Sequence, residues 1–226
     1  MAGRYLDKEL KVLKEKLLQM AARVEEAIAR SIKSLVDRDS SLSDQVIEQD
    51  PLIDVLEIEV DKHCLKLLAL RQPIAIDLRF ITSAMRINSQ LERIGDQAVN
   101  IAERTLELLK EPLLKPLIDI PRMATRAQRM VKDSLDAFVN KDAALAKSVC
   151  ESDDEVDNLN DQVFRELLTY MMQDTSTINR AVQLMLIGRH LERIADHATN
   201  VAEDVIYLVL GKDIRHHVKG LGKGKK

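Results

Sequence analysis

Tryptophan is absent from this 226-residue chain, and Phe and Tyr number three each. Strands draw on aromatic and β-branched side chains and their turns on Gly and Pro, of which there are only seven and five. A β-sandwich or barrel is therefore excluded, and long helices are indicated. Cysteine is limited to Cys64 and Cys150, with no Cys-x-x-Cys spacing, which predicts free thiols in a reducing compartment rather than a disulfide framework. The uncharged run at 181–188 is far short of the roughly 20 residues a membrane span needs, and residues 1–11 lack the apolar core of a signal peptide. A cytoplasmic protein with no membrane span is expected.

Charge of one sign is also lacking over the whole chain, at net −3, but it is unevenly spread. Residues 211–226 hold six Lys or Arg and one Asp, so the remainder carries −8. An acidic body without Trp repels a phosphate backbone and offers few stacking platforms, which argues against nucleic-acid binding. The basic end reads as a solvated tail.

Apolar residues recur at helical spacing over 6–36, and Asp37-Arg38-Asp39-Ser40-Ser41 supplies turn and cap side chains. Further helices are predicted at 42–70, ended ahead of Pro73, and at 75–110, ended by Pro112 and Pro116. The plan then restarts at 121–139, 143–172 and, after caps at 174–177, a last helix to Leu210 stopped by Gly211. The expectation is an all-α fold of two tandem three-helix bundles, over 1–112 and 113–211, with a tail at 212–226.

Duplication is written most clearly in the third and sixth helices, where residues 91–103 and 191–203 agree at nine of 13 positions. On a helical wheel Leu91, Ile94, Ala98, Ile101 and Ala102 form a core stripe, with Glu92, Asp96, Asn100 and Glu103 nearly opposite. Asp50, Asp54, Glu57 and Asp61 are expected to do the same on the second helix, opposite Leu52, Val55, Leu56 and Val60. In the second half the counterparts are Asp153, Asp157, Glu192, Asp196 and Asn200, while Glu57 and Asp61 are answered by Asn160 and Phe164, with Asp161 beside them as a substitute.

Outward acids are most often only a solvated face. Here, however, like charges at i and i+4 disfavour a helix by a few tenths of a kcal/mol, so Glu92 with Asp96 and Glu192 with Asp196 call for a compensating cation. Oxygen-only clusters suit hard cations such as Mg²⁺, Mn²⁺, Ca²⁺ or iron, whereas zinc favours His or Cys. The Glu-x-x-His pairs of a di-iron bundle enzyme are missing, since Val60, Ile187 and Ile194 stand three before His63, His190 and His197. His197 reads as a surface residue. No nucleophile and base pairing is legible.

With its two Leu-Glu-Arg-Ile-x-Asp segments, the Arg71-Gln72-Pro73-Ile74-Ala75-Ile76-Asp77-Leu78-Arg79 run and Leu168-Thr169-Tyr170-Met171-Met172, the chain resembles the PhoU family over residues 6–213. The resemblance implies two three-helix bundles related by a pseudo-two-fold, and negative regulation of phosphate uptake, by linking a phosphate ABC transporter, through its ATPase subunit, to a sensor histidine kinase. It also implies multinuclear metal binding, of iron, manganese or magnesium, through Asp50 with Asp54, Glu92 with Asp96, Asp153 with Asp157, and Glu192 with Asp196, and a homodimer that reaches the membrane only through its partners. The alternative is a metal-dependent hydrolase using the same stripes; carboxylates without an enclosed pocket favour the adaptor.

Overall fold

The computed structural model describes residues 2–71 and 73–214, and the side chains of 6–70 and 73–214. The helices are α1 (Ala2–Asp37), α2 (Ser40–Gln49), α3 (Pro51–Arg71), α4 (Ala75–Leu109), α5 (Asp119–Asn140), α6 (Ala143–Gln173) and α7 (Ile178–Leu210), with a one-turn 3-10 helix at Thr175–Thr177. The first bundle is built of α1, the α2–α3 pair and α4; the second of α5, α6 and α7. Most of the basic tail, with His216 and His217, lies outside the described residues.

One expected helix is two. The segment foreseen as a single helix over 42–70 divides at Asp50, because Pro51 has no N–H to donate to the preceding turn. Asp50 nevertheless keeps right-handed helical geometry (φ −54, ψ −44), and its carbonyl accepts from Ile53 at 2.8 Å, so the chain bends instead of turning away. Asp154 stands at the matching place of the second half, and α6 runs through without a break.

The turns follow their side chains. Asp39 accepts from the Ser41 amide, Asp142 from the Ala144 and Leu145 amides, and Asp174 from the Ser176 amide, satisfying first-turn donors left open by helix geometry. Gly211 closes α7 in the left-handed region at φ 67, a conformation that costs glycine little.

α4 and α7 lie antiparallel against each other at the centre of the molecule, and α1 meets α5 beside them. Leu91, Ile94, Ala98, Ile101 and Ala102 of α4 are buried, as are Leu191, Ile194, Ala198, Val201 and Ala202 of α7, as their wheel positions require. Each buried Leu or Ile removes apolar surface worth about 1.5–3 kcal/mol. Phe80 of α4 stacks on Phe138 of α5 at 5.4 Å, and Cys64 and Cys150 are free thiols in the core. The connection between bundles is pinned to both: Arg38 donates to the Leu109 and Glu111 carbonyls, Arg180 to that of Pro112, and the buried Lys115 pairs with Glu166. Among the described residues no helix is long and apolar enough to cross a membrane.

Candidate functional site

Two carboxylate clusters form, one per bundle, where the second and third helices of each bundle run side by side. In the first, Asp50 at the α2–α3 bend, Asp54 and Glu57 on α3, and Glu92 and Asp96 on α4 share one electrostatic field. Partial burial, then Asp54 and Asp96, push the Asp50 carboxyl up to about 6. Burial, then Asp96, Glu57 and Asp54, push Glu92 up to about 7 against the pull of Arg93. Glu57 and Asp96 are raised as well, mainly by burial and then by neighbouring acids.

These acids are not simply outward. Asp54 and Asp96 are exposed, but Asp50, Glu57, Asp61 and Glu92 are half-buried along the α3–α4 groove. The expected opposition to Leu52 and Val55 on α3 is wrong, because both are exposed, and the core face is instead Ile53, Leu56, Val60, Cys64 and Leu67. The bend at Pro51 sets Ile53, one residue further on, as the first core position of α3. That registration leaves the acids beside the core.

Gly95 permits the close approach. A Cβ there would lie 3.1 Å from Ile53 Cδ1 and 3.8 Å from Asp50 Oδ1. In the second half Ala195 replaces Gly95, and Val156 replaces Ile53, so the added methyl is matched by a smaller partner. This explains one of the four mismatches between the duplicated segments.

Asp61 is held apart from Asp50 and Asp54: the buried Asn88 amide donates to Asp61 Oδ1 at 3.1 Å and to the Glu57 carbonyl at 2.9 Å. The second half exchanges the positions of this asparagine. Asn160 of α6 donates to Glu192 at 2.6 Å, and Gly188, which stands where α4 has Asn88, leaves room for it. Phe164, in the place of Asp61, is exposed.

In the second cluster burial, then Asp157, Asp196 and Asp154, push Asp153 up to about 6. Asp153 Oδ1 is buried, and the Thr199 hydroxyl beside it opposes the rise without reaching full hydrogen-bond geometry. Glu192 is raised by burial, Asp157 and Asp196, with Arg189 opposing and Asp161 adding to the field. Asn100 donates to the Asp96 carbonyl one turn back, and Asn200 to Gln90, so both amides are turned from the carboxylates.

The donors are oxygens, crowded enough to resist ionisation, and one buried oxygen lacks a full hydrogen bond; that chemistry fits a hard cation. Among the described residues no three His, Cys, Asp or Glu side chains stand close enough to hold a metal ion as placed. A cavity of about 540 Å³ lies away from both clusters, between α5 and α6, lined by Arg122, Arg126, Glu155 and Gln162 among others.

Sequence reasoning missed the seam between the bundles. His197, read as a surface residue, is half-buried there with Nδ1 2.8 Å from Gln90 Oε1, and His190 stands 2.9 Å from Gln97 Oε1. The repeat offset of 100, applied to Gln90 and Gln97, lands on these histidines and could have located them.

A duplicated three-helix bundle with one carboxylate cluster per repeat defines the class of the molecule. A PhoU domain model matches residues 17–105 and 120–205, and the chain belongs to the PhoU family. It is 46% identical over 219 residues to the phosphate-specific transport system accessory protein PhoU homolog of Aquifex aeolicus, covering 96% of this chain and 99% of that one. The Pseudomonas aeruginosa homolog of the same description is 42% identical over 92% of this chain and 86% of its own. The crystal structure of PhoU from Pseudomonas aeruginosa superposes with a TM-score of 0.89 at 41% identity, over 91% of this chain and 99% of that one. The phosphate transport system regulatory protein PhoU from Streptococcus pneumoniae gives 0.86 at 30% identity, over 92% and 98%.

Proposed function

We propose that this protein is a non-catalytic regulator of phosphate homeostasis that acts in the cytoplasm as a metal-loaded adaptor, restraining phosphate uptake by linking the ATPase subunit of a phosphate ABC transporter to a sensor histidine kinase. Full-length likeness to accessory and regulatory proteins of phosphate transport carries the regulatory part. The pair of carboxylate clusters supports the metal. Asp50, Asp54, Glu57, Glu92 and Asp96 would hold it in the first half, and Asp153, Asp157, Glu192 and Asp196 in the second, with Asp61, Asp161, Asn100 and Asn200 at the margins. A hard cation would offset the burial, and lift the repulsion, that raise Asp50, Glu92 and Asp153. Lacking Glu57 and Asp61 counterparts, the second half would bind more weakly.

Deleting the gene is expected to leave phosphate-uptake genes expressed at high external phosphate, and the purified protein is expected to bind the transporter ATPase or the kinase without hydrolysing a phosphate ester. Normal repression in the deletion strain, with an esterase activity lost in Asp54→Ala, would replace this reading by a metal-dependent hydrolase.

A further inference from the structure

The duplication supplies an internal control on the outer face of α3. Leu52, Val55, Ile58 and Leu65 are 46%, 53%, 50% and 57% exposed and lie along one side of the helix, outside its core face. At the matching places of α6, which packs on α5 and α7 as α3 packs on α1 and α4, stand Glu155, paired with Arg126 of α5 at 3.0 Å, and Asn158, Asp161 and Leu168. The scaffold thus accepts polar side chains at three of these four positions, and folding does not call for the apolar ones. A contiguous apolar face that the fold does not need marks an interaction surface.

Charge selects the occupant. Lys62 and Lys66 lie along one edge of the apolar ridge with Glu59, whose carboxylate is taken up by Lys16 at 2.6 Å, and neither Lys62 nor Lys66 forms an ion pair among the described residues. Asp54, Glu57 and Asp61 run along the other edge. An anionic membrane would meet those acids as well as the lysines, and the face has no aromatic anchor. A helix is narrower, and can place an acidic flank against the lysines alone while its apolar stripe packs on the ridge.

We infer that the outer face of α3 docks an amphipathic helix of a partner protein, with an apolar stripe on Leu52, Val55, Ile58 and Leu65 and an acidic flank on Lys62 and Lys66. The inference takes from the adaptor reading only the existence of a protein partner.

Two synthetic helices of about 20 residues with the same Leu stripe, one flanked by Glu and one by Lys, serve as probes in fluorescence anisotropy against the full chain. The Glu-flanked probe is expected to bind the more tightly, and to lose about tenfold or more in affinity with the triple variant Leu52→Glu, Val55→Asn, Ile58→Asp, which borrows the residues of α6. Lys62→Glu with Lys66→Glu should reverse the preference, while circular dichroism shows both variants folded. Equal binding of the two probes, or binding unchanged in the triple variant, overturns the proposal. So does a wild-type dimer that the triple variant converts to monomer, which makes the face a contact between copies, or loss in that variant of sedimentation with phosphatidylserine vesicles. Indifferent probes alongside a deletion strain that still derepresses uptake would remove the docking face and keep the adaptor.

Discussion

The imidazole of His190 on α7 and the carboxamide of Gln97 on α4 meet at 2.9 Å, and one heptad along the seam the contact recurs with the two halves exchanged, His197 with Gln90 at 2.8 Å. Because residues 90 and 97 match 190 and 197 in the repeat, these two hydrogen bonds are one contact applied twice by the pseudo-two-fold. Burial, then Arg193, Arg104 and Arg189, push His190 down to about 4, and burial, Arg93 and Arg193 do the same to His197. Both rings are neutral at physiological pH, and with glutamine oxygen as acceptor each carries its proton on Nδ1.

Gln97→Leu is expected to lower stability by about 1–3 kcal/mol, since it strands the His190 donor in the seam. Adding His190→Leu to it should recover much of the loss, because removing both polar partners relieves the unsatisfied group. Urea unfolding of the single and double variants measures this. A double variant weaker than the single would show that the pair acts through something other than their hydrogen bond.

Glu92→Ala with Asp96→Ala should leave the helical fold intact and reduce bound metal by about half, there being one cluster per bundle. Neither side chain fills the core, and their removal relieves a like-charge pair, so the metal-free variant should melt no lower than wild type. Circular dichroism and elemental analysis report the two effects separately. Unfolding of the variant would mean that these acids support the core.

Raised carboxylate pKa values fix the sign of a pH effect. Glu92, at about 7, and Asp50 and Asp153, at about 6, retain protons in the folded state where the unfolded chain has already released them. Their contribution to stability is therefore present at low pH and is lost as pH rises through the folded values. In metal-free protein the stability difference between Glu92→Gln and wild type should shrink as pH falls from about 8 to about 5. Metal competes with the same protons, so bound metal should fall over that interval. Metal content unchanged down to pH 5 would place the ligands elsewhere.

Gly188→Ala should disturb the second cluster selectively. The new Cβ would lie 2.7 Å from Asn160 Oδ1, forcing that side chain off its hydrogen bond to Glu192. A cost of about 1–3 kcal/mol is expected, with weaker metal retention in the second half and no change in the first. The outcome is readable by combining Gly188→Ala with the double variant at Glu92 and Asp96. Metal content in that combination equal to that of the Glu92, Asp96 double variant alone would separate Asn160 from the site.

Helix type, number of repeats and most boundaries were legible because each rests on local chemistry: 3.6-residue periodicity over long spans, Asp39, Asp142 and Asp174 as caps, and Gly211 as a stop. The pairing of Glu92 with Asp96 was legible for the same reason, since it lies within a helix, and that of Asp50 with Asp54 because Asp50 keeps helical geometry at the bend. What α3 turns toward its neighbours was not. Its outer face is apolar as well as its core face, so periodicity admits Leu52 and Val55 to the interior, and only packing against α1 and α4 chooses Ile53 and Leu56 instead.

The sequence by itself determined the all-α character, the duplication and the residues available to each cluster, since these follow from composition, spacing and repetition along the chain. Tertiary structure alone decided that α4 and α7 lie antiparallel at the centre, that α2 and α3 meet in a bend at Pro51 instead of turning apart, and that Asn88 and Asn160 answer each other from opposite walls. Those outcomes depend on which surfaces meet and how closely, as Gly95 against Ile53 and Gly188 against Asn160 show, and contact across helices leaves no period in the sequence.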